Sequence, residues 1–297
     1  MTTVRRRAAV LGHPIGHSRS PALHSSAYEV LGEDIDYGSF DLVPEQLGDF
    51  VRDVRSEDGW CGLSVTMPLK AALVGWMDQL EGNAALLGVL NTVTFERVSG
   101  SLRLVGHNTD VAGIVEAFRH AGVERAVAPV IVGAGNTALA AVAAVAELGA
   151  TSARFLVRDP ARSGEAVSLA ERLGLAVVLE AIDRGAPTLA AADVVVSTLP
   201  PRAADSLAAE LVPRSELASR SADDGHPGVL LDVAYDPWPS QLGDAWEARG
   251  GRVLHGLEML VYQAVEQIVL FTGREDARSL DVIDVMCNSV GLPQRAR

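Results

Sequence analysis

One lysine stands out among the residues that could exchange a proton in an enzyme reaction. The chain has 297 residues and 25 lysine and arginine residues, of which only Lys70 is a lysine. A guanidinium stays protonated near neutral pH, whereas the pKa of a lysine can be tuned until it exchanges its proton. Pro68 is typical of a helix start, which places Lys70 in a first turn where a cation is unfavourable. We interpret Lys70 as a candidate acid/base; the alternative is a surface lysine.

A glycine-rich turn indicates a nucleotide site. Gly133, Gly135 and Ala138 fit the pattern G-x-G-x-x-A between an apolar strand and an Ala/Val-rich helix. The first glycine permits a tight turn, the second lets a pyrophosphate approach the backbone, and the small third residue permits close helix packing. This context favours dinucleotide binding over an ordinary turn between a strand and a helix.

The end of the following strand distinguishes NADP from NAD. An acidic residue there binds the ribose of NAD, whereas an arginine can pair with the 2′-phosphate of NADP. Arg158 occupies that position and Arg162 follows one helical turn later, which favours NADP. Asp159 opposes this interpretation because its carboxylate would repel a phosphate unless it points away; the alternative is a solvated turn. A nicotinamide enzyme that oxidises an alcohol also needs a group to take the hydroxyl proton, and Lys70 is the candidate.

Polar residues with several interpretations lie at predicted turns. Ser18 and Ser20 lie beside a helix N-terminus that could hold a carboxylate, although Ser20 before Pro21 is also typical of an ordinary N-cap. Asn91 and Asp110, taken singly, are typical turn residues.

Composition excludes several classes of protein. The 38 Asp and Glu residues give a formal net charge of −13, which argues against nucleic acid or an anionic membrane surface as a partner. Cys61 and Cys287 lack metal-ligand spacing and fit a reducing compartment, so we expect no metal site. The apolar stretch near 138–145 is too short to span a bilayer, and the start of the chain lacks a signal-peptide pattern. We expect a cytoplasmic protein.

Short β-rich runs alternate with helical patterns, which predicts an α/β fold of two lobes joined near residue 110. The predicted strands are AAVLG, DYGSFDLV, CGLSVT, VIVGAG, ARFLVR, DVVVSTLP, GVLLDVAY and GRVLHG. A hairpin is predicted from residues 91–93 to 102–104, an exposed loop around residues 215–227, and a final helix from about Leu280. Ligands of such folds commonly bind between the lobes, at the carboxyl ends of strands.

A series of motifs covering residues 8–273 resembles the shikimate dehydrogenase family. The motifs are, in order, HPIGHSRSP, SVTMPLK, VLNTV, GHNTD, VGAGNTA, DVAYDPWPS and GLEMLVYQA. The resemblance implies that residues 1–110, joined by C-terminal helices within 257–297, bind 3-dehydroshikimate or shikimate. It implies that residues 111–256 form a Rossmann-type NADP-binding lobe, with the active site in the cleft between the lobes. We expect a monomer or a homodimer.

The resemblance also implies a role for each matching residue. Lys70 would be the catalytic acid/base, with Asp110 as its partner. The residues implied to bind the substrate are Ser18, Ser20, Thr66, Lys70, Asn91, Asp110, Tyr235 and Gln263. The residues implied to bind NADP are Gly133, Ala134, Gly135, Asn136, Thr137, Arg158, Arg162, Thr198, Val233, Gly256 and Met259.

The implied reaction is the reversible, NADPH-dependent reduction of 3-dehydroshikimate to shikimate, in the biosynthesis of chorismate and aromatic amino acids. Lys70 would supply the proton that makes the alcohol. A neighbouring carboxylate raises the pKa of a lysine. We therefore expect Asp110 chiefly to orient Lys70 and the reacting hydroxyl, with proton exchange shared through the pair or a water.

This sequence departs from the family's usual residues at several positions, and none of these departures removes a residue that the chemistry needs. The departures are His107, Val111, Asn136, Val157 and Ser64. Two alternatives stay open: a quinate/shikimate dehydrogenase that prefers NAD, and a non-catalytic shikimate-binding sensor of the same fold. Retention of Lys70 and Asp110 disfavours the sensor.

Overall fold

The structure is a computed structural model that describes residues 6–211 and 228–295. The chain divides into two compact units: Met1–Gly113 with Leu260–Arg297, and Ile114–Met259. Both boundaries lie three residues beyond the predicted ones, because they fall inside helices that begin at residues 110 and 256. The loop expected around residues 215–227 lies outside the described residues.

Strands and helices alternate along the described residues, which confirms the predicted α/β class. The strands are β1 (Arg6–Gly12), β2 (Ile35–Asp41), β3 (Trp60–Val65), β4 (Gln79–Leu80), β5 (Thr92–Val98), β6 (Ser101–His107), β7 (Val130–Val132), β8 (Ser152–Val157), β9 (Ala176–Ala181), β10 (Val194–Ser197), β11 (Val229–Asp232) and β12 (Arg252–His255). The α-helices are α1 (Ser20–Leu31), α2 (Leu47–Ser56), α3 (Leu69–Ala72), α4 (Gly82–Leu87), α5 (Asp110–His120), α6 (Asn136–Glu147), α7 (Gly164–Arg172), α8 (Ala186–Ala190), α9 (Asp205–Ala209), α10 (Gln241–Ala248), α11 (Gly256–Thr272) and α12 (Leu280–Ser289). Short 3-10 helices cover Pro44–Gln46, Val74–Trp76, Pro160–Arg162, Ile182–Arg184 and Glu275–Arg278.

The first unit contains a mixed six-stranded sheet with the order β2-β1-β3-β5-β6-β4. β1 pairs in parallel with β2 and β3, whereas β5 pairs antiparallel with β3 and β6. The predicted hairpin is confirmed as β5 and β6, and its two turn residues, Ser99 and Gly100, have φ angles of 51° and 85°. Positive φ at both central residues is typical of the type I′ turn that joins two-residue hairpins.

Helices cover both faces of this sheet because the side chains of β1 alternate between them. Ala8 and Val10 are buried with residues of α1, α11 and α12, whereas Ala9 and Leu11 are buried with residues of α2 and α3. The predicted last helix is confirmed as α12, which packs against α1. The sheet thus holds α11, and the functional side chains on it, against the core of the first unit.

The start of α1 differs from the expectation. Ser20 is the first residue of the helix and not its N-cap, because Arg19 already has a near-helical backbone with φ −88° and ψ −6°. The Arg19 side chain makes no capping hydrogen bond. The helix ends at Leu31, followed by Gly32 in the left-handed conformation at φ 68°.

The second unit contains a parallel six-stranded sheet with the order β12-β11-β10-β7-β8-β9. The strand order reverses between β7 and β10, which is the place where doubly wound sheets bind ligands. The sequence reading missed β9 at the edge of this sheet and the two-residue β4 in the first unit. β4 has only two residues, and the short apolar run of β9, AVVL, cannot be told from part of a helix by periodicity.

Candidate active site

Lys70 and Asp110 form a buried ion pair in the first unit. Lys70 lies in the first turn of α3, as predicted from Pro68, and Asp110 is the first residue of α5. The Lys70 Nζ lies 2.5 Å from the Asp110 Oδ2, and only 10% and 6% of the two side chains are exposed. The backbone N–H of Asp110 donates to the Asn108 Oδ1 at 3.0 Å, which fixes the start of α5. Two helix starts, formed by different parts of the chain, therefore position the pair.

Asn91 holds the second oxygen of the Asp110 carboxylate. Its Nδ2 donates to the Asp110 Oδ1 at 2.8 Å, to the Thr109 hydroxyl at 2.9 Å and to the Gln263 Oε1 at 3.2 Å. Its Oδ1 accepts from the Thr109 backbone N–H and the Thr92 hydroxyl, both at 2.8 Å. These partners define which end of the amide faces the carboxylate. The structure thus brings together four predicted site residues: Lys70, Asn91, Asp110 and Gln263.

This geometry gives the cluster a defined chemical capacity. Both oxygens of Asp110 accept a hydrogen bond, so the carboxylate cannot rotate without losing one of them. A charge-assisted hydrogen bond at this distance is among the stronger polar contacts in proteins. The amine of Lys70 is therefore held in one place, where it can donate a proton to a bound oxygen or take one from it.

The other predicted substrate residues of the first unit lie apart from this cluster in the hydrogen-bond pattern. Ser18 and Thr66 are half-buried and Ser20 is buried. The Ser18 hydroxyl accepts from the Ser20 backbone N–H at 3.3 Å. Across residues 6–211 and 228–295, no direct hydrogen bond links these three residues to Lys70 or Asp110. The contact expected of them is with a ligand.

The sequence reading missed several polar residues packed behind Asn91. Gln267 follows Gln263 by one helical turn on α11, and its Nε2 donates to the Asn91 carbonyl at 3.1 Å. The Tyr37 hydroxyl donates at 2.7 Å to Ser64, one of the departures from the family. The i, i+4 spacing of the two glutamines was the available signal, because such residues lie on one face of a helix.

The glycine turn of the second unit has the geometry that its motif predicts. Gly133 follows β7 with a φ of 109°, and a Cβ there would lie 2.5 Å from the Thr198 Oγ1. Thr198 itself follows β10, and its hydroxyl donates to the Val132 carbonyl at 2.9 Å. Glycine is therefore required at position 133 by both backbone conformation and space. The turn brings Gly133 and Thr198 together where the strand order reverses.

The N-terminus of α6 lies directly after this turn. Gly135 precedes the helix in an extended conformation, and a Cβ there would meet no atom within 4 Å. No side chain caps the helix, whose first residues are Asn136 and Thr137, while Ala138 is fully buried. The chain's own packing gives no reason for a glycine at 135, whereas close approach of a ligand would. Ala134, Gly135 and the free N–H groups of α6 fit a pyrophosphate.

Two exposed arginines follow β8 in the second unit. Among the described residues, the guanidinium groups of Arg158 and Arg162 have no ion-pair partner. Asp159, which opposed the NADP interpretation, accepts a hydrogen bond from the backbone N–H of Ala161 at 3.0 Å. Its carboxylate thus caps the 3-10 helix Pro160–Arg162 and does not neutralise either arginine. Both cations are available for a phosphate.

The last predicted cofactor residues lie around the end of β11. The Val233 backbone N–H donates to the Ser197 carbonyl at 3.0 Å, and a Cβ at Gly256 would lie 2.4 Å from the Val233 oxygen. Gly256 is therefore required by packing within the chain, whatever it contacts in a ligand. Met259 is buried. A cavity of about 250 Å³ lies beside this region, lined by Ser197, Leu199, Pro200, Pro201, Arg202, Ala204, Asp205, Asp232, Ala234, Pro237, Pro239, Ser240, Gln241 and Leu242.

Tyr235 differs from the other predicted substrate residues in its location. It is half-buried and belongs to the second unit, close in sequence to Val233 and the cavity-lining Ala234. Burial raises the pKa of the neighbouring Asp232 carboxyl. Tyr235 is thus the one predicted substrate residue that belongs to the second unit.

The departures from the family are accommodated in the structure. The His107 Nε2 lies 2.9 Å from the Thr94 hydroxyl, and burial lowers its pKa. Val111 and Val157 are buried, with 1% and 3% of their surface exposed. These residues serve the core or the strand pairing of their units.

Within residues 6–211 and 228–295, no group of three or more His, Cys, Asp or Glu side chains could hold a metal ion. No helix in the same residues has the length and apolar character needed to cross a bilayer.

Two family models match parts of the chain that contain residues of the Lys70 cluster. The model described as "Shikimate dehydrogenase substrate binding domain" matches residues 10–93. The model described as "Shikimate 5'-dehydrogenase C-terminal domain" matches residues 256–276. The first match contains Lys70 and Asn91, and the second contains Gln263.

Similarity over nearly the whole chain extends these local matches. The shikimate dehydrogenase (NADP(+)) of Methanothermobacter thermautotrophicus is 32% identical over 93% of this chain and 93% of its own length. The crystal structure of Mycobacterium tuberculosis shikimate dehydrogenase has a TM-score of 0.79 at 36% identity, covering 96% of this chain and 98% of that chain. The Thermus thermophilus shikimate 5-dehydrogenase in complex with NADP(H) and shikimate has a TM-score of 0.75 at 30% identity, covering 96% and 99%. Such identity over nearly the whole length shows that the chain belongs to the shikimate dehydrogenase family.

Proposed function

We propose that this protein catalyses the reversible, NADPH-dependent reduction of 3-dehydroshikimate to shikimate, with Lys70 as the acid/base. Membership of the family makes the chain an NADP-dependent oxidoreductase of aromatic biosynthesis. The observation that carries the role of Lys70 is its buried pair with Asp110 at 2.5 Å. Burial of a lysine and its counterion costs desolvation free energy, and buried charged groups of this kind are typical of functional sites.

The proton steps of the proposed mechanism use residues of the first unit. NADPH, when bound, supplies the hydride that reduces the carbonyl carbon. The Lys70 ammonium donates a proton to the carbonyl oxygen as it becomes a hydroxyl, and the neutral amine takes that proton back in the reverse reaction. Asp110 accepts a hydrogen bond from the Lys70 Nζ and holds it in place, and Asn91 fixes Asp110 in turn. Proton exchange with solvent passes through the pair or a water.

The remaining polar residues are proposed to bind the substrate. The Ser18 and Ser20 hydroxyls bind the carboxylate, beside the start of α1. The ring hydroxyls are bound by Thr66, Asn91, Asp110 and Gln263, and Tyr235 of the second unit also contacts the substrate. Residues 1–110 with 257–297 thus form the substrate-binding and catalytic domain.

The residues of the second unit fit NADP by their own geometry. The open space at Gly135 and the uncapped start of α6 fit the pyrophosphate, with Gly133, Ala134, Asn136 and Thr137 around it. Arg158 and Arg162, free of ion pairs within the described part of the chain, bind the 2′-phosphate. Thr198, Val233, Gly256 and Met259 lie along the rest of the cofactor. Residues 111–256 thus form the NADP-binding domain of a cytoplasmic monomer or homodimer.

Steady-state assays of the purified full chain test this proposal. Shikimate or quinate is supplied with NADP⁺ or NAD⁺ in the four combinations, and reduced nicotinamide is measured by absorbance. We expect shikimate with NADP⁺ to give the highest kcat/KM. A preference for quinate with NAD⁺ would identify the catabolic type of enzyme. Shikimate binding by calorimetry without turnover would identify a sensor, and either result would overturn the proposal.

A further inference from the structure

A buried chain of hydrogen bonds leads from β2 to the Asp110 carboxylate. The donor–acceptor distances are 2.7 Å from the Tyr37 hydroxyl to the Ser64 Oγ, 2.7 Å from Ser64 to the Gln267 Oε1, 2.9 Å from the Gln267 Nε2 to the Thr92 Oγ1, 2.8 Å from Thr92 to the Asn91 Oδ1, and 2.8 Å from the Asn91 Nδ2 to the Asp110 Oδ1. This chain of hydrogen bonds has members on three strands of one sheet and on α11, and all of its members belong to the first unit.

Burial makes the members of this chain depend on one another. Relative exposure is 3% for Ser64, 1% for Gln267, 0% for Thr92 and 2% for Asn91. A buried polar group without a hydrogen-bond partner destabilises the folded protein, because the hydrogen bonds that it made to water are not replaced. Loss of one member therefore leaves its neighbour with an unsatisfied polar atom. Networks of this type fix a single arrangement when every member is satisfied.

The direction of every bond in the chain follows from the carboxylate at its end. An ionised Asp110 accepts only, so the Asn91 amide must turn its Nδ2 toward it and its Oδ1 toward Thr92. The Thr92 hydroxyl donates to that oxygen and therefore accepts from the Gln267 Nε2. The Gln267 Oε1 then faces Ser64, which donates to it and accepts from Tyr37.

Gln267 holds Asn91 at two points. Besides its bond to Thr92, its Nε2 donates to the Asn91 backbone carbonyl at 3.1 Å. The Ser64 hydroxyl holds the other end of the same amide, because it donates to the Gln267 Oε1 at 2.7 Å. Loss of the Ser64 hydroxyl leaves that buried oxygen without its donor, so the Gln267 side chain is held only at its nitrogen.

We propose that Ser64 and Gln267 are positioning residues that hold Asn91, and through it the Asp110–Lys70 pair, in the geometry needed for proton transfer. This inference rests on the proposed function of Lys70 and Asp110. Neither residue needs to touch the substrate. Displacement of an acid/base by a fraction of an ångström lowers turnover strongly, while groups that only bind the substrate are less affected.

Kinetic comparison of Ser64→Ala with wild type tests the inference. We expect kcat to fall roughly five- to tenfold while KM for shikimate changes less than about twofold. Tyr37→Phe should have a smaller effect, because Ser64 can still donate to Gln267 without the phenol. Ser26→Ala is the matched control: it removes a hydroxyl that donates to the Leu23 carbonyl in α1, outside the chain of bonds, and should leave kcat unchanged.

A double-mutant cycle tests whether the two residues act as one unit. Gln267→Leu alone should lower kcat more than Ser64→Ala, and the double variant should be no slower than Gln267→Leu. Thermal unfolding of each variant, followed by circular dichroism, shows whether the compared proteins are folded at the assay temperature. If Gln267→Leu does not fold, the comparison of Ser64→Ala, Tyr37→Phe and Ser26→Ala still decides.

The inference is overturned if folded Ser64→Ala has the kcat of wild type. It is also overturned if KM rises while kcat is kept, since that result would place Ser64 in substrate binding. A wild-type chain that produces no NADPH from shikimate and NADP⁺ would instead refute the proposed function, so the two failures are distinguishable.

Discussion

The Lys70 Nζ lies 2.5 Å from the Asp110 Oδ2, although 40 positions separate the two residues in the chain. Two short segments make this contact possible: the turn that starts α3 after β3, and the turn that starts α5 after β6. Asn91, which directly precedes β5, holds the other Asp110 oxygen. The pair is therefore fixed by residues that follow or precede three strands of one sheet.

Removal of the Asp110 charge should destabilise the protein as well as slow it. In Asp110→Asn the Lys70 ammonium would stay buried without a counterion, at a cost of about 3 kcal/mol in the free energy of unfolding. We expect kcat to fall roughly 10- to 100-fold, because the amine is no longer held in place. Urea unfolding and steady-state kinetics measure the two effects.

A second variant separates these effects. Asp110→Asn combined with Lys70→Met removes the unpaired cation and should recover part of the lost stability but none of the activity. An Asp110→Asn single variant as stable as wild type would show that the pair is not buried as described.

The two arginines after β8 should determine cofactor choice. We expect Arg158→Ser combined with Arg162→Ser to raise KM for NADP⁺ roughly 10- to 100-fold, because charge-assisted hydrogen bonds to the 2′-phosphate are lost. KM for NAD⁺, which lacks that phosphate, should change little. Arg125→Ser combined with Arg184→Ser, which removes two exposed arginines of the same unit, controls for the change in net charge. Equal changes in KM for NADP⁺ and for NAD⁺ would refute the assignment of the two arginines to the 2′-phosphate.

The two glycines of the cofactor turn should respond differently to the same substitution. Gly133→Ala places a Cβ at a φ of 109° and 2.5 Å from the Thr198 Oγ1, so we expect a loss of about 2 kcal/mol in stability. Gly135→Ala should leave stability within about 0.5 kcal/mol, since its Cβ meets no protein atom within 4 Å. It should instead raise KM for NADP⁺, by roughly tenfold, because the methyl group occupies the space left for the pyrophosphate.

Thermal melting points and KM values for the two glycine variants check this contrast. The assignment of Gly135 to the cofactor fails if Gly135→Ala has the wild-type KM for NADP⁺.

His24 should make the stability of the protein depend on pH. The side chain is fully buried, stacked on Tyr37 at 4.0 Å between ring centroids, and its Nδ1 donates to the Ser20 carbonyl. Burial lowers the pKa of His24 from 6.5 to about 4. Between these values the unfolded chain binds a proton that the folded chain does not, so the free energy of unfolding falls as pH falls. The loss from pH 7 to pH 5 should be about 2 kcal/mol.

His24→Phe isolates this contribution. Phenylalanine keeps an aromatic ring against Tyr37 but does not titrate, and it removes the Nε2, which has no hydrogen-bond partner among the described residues. Denaturant unfolding at pH 7 and pH 5 should show a smaller loss for His24→Phe than for wild type. Equal losses would mean that His24 is not buried in its neutral form.

The sequence predicted those parts of the fold that local signals determine. Pro68 marked the start of α3, and residues 91–93 and 102–104 marked the hairpin, which the structure forms as β5 and β6. The N-cap at Ser20 was wrong, because the backbone turns one residue earlier than the Ser-Pro pair indicates. β9 was missed because its short apolar run cannot be told from part of a helix by periodicity.

The catalytic cluster was less accessible from the sequence. Lys70 was identified by being the only lysine, but Asn91 and Asp110 resemble ordinary turn residues until their partners are known. Their contact depends on the pairing of β3, β5 and β6, which brings distant segments together. Gln267 and Ser64 carried no signal beyond helix spacing and a family departure, because the hydrogen bonds that they make are set by tertiary packing.

The most direct test of the central claim is kcat for shikimate oxidation in Lys70→Ala and Lys70→Arg, measured with saturating NADP⁺ in folded protein. If Lys70 exchanges the proton, kcat should fall by about 10²-fold or more in both variants, with a much smaller change in KM for shikimate. Arginine should not restore activity, because it keeps the charge but cannot release a proton at neutral pH. A wild-type kcat in Lys70→Ala, or full activity in Lys70→Arg, would contradict the role of Lys70 as the acid/base.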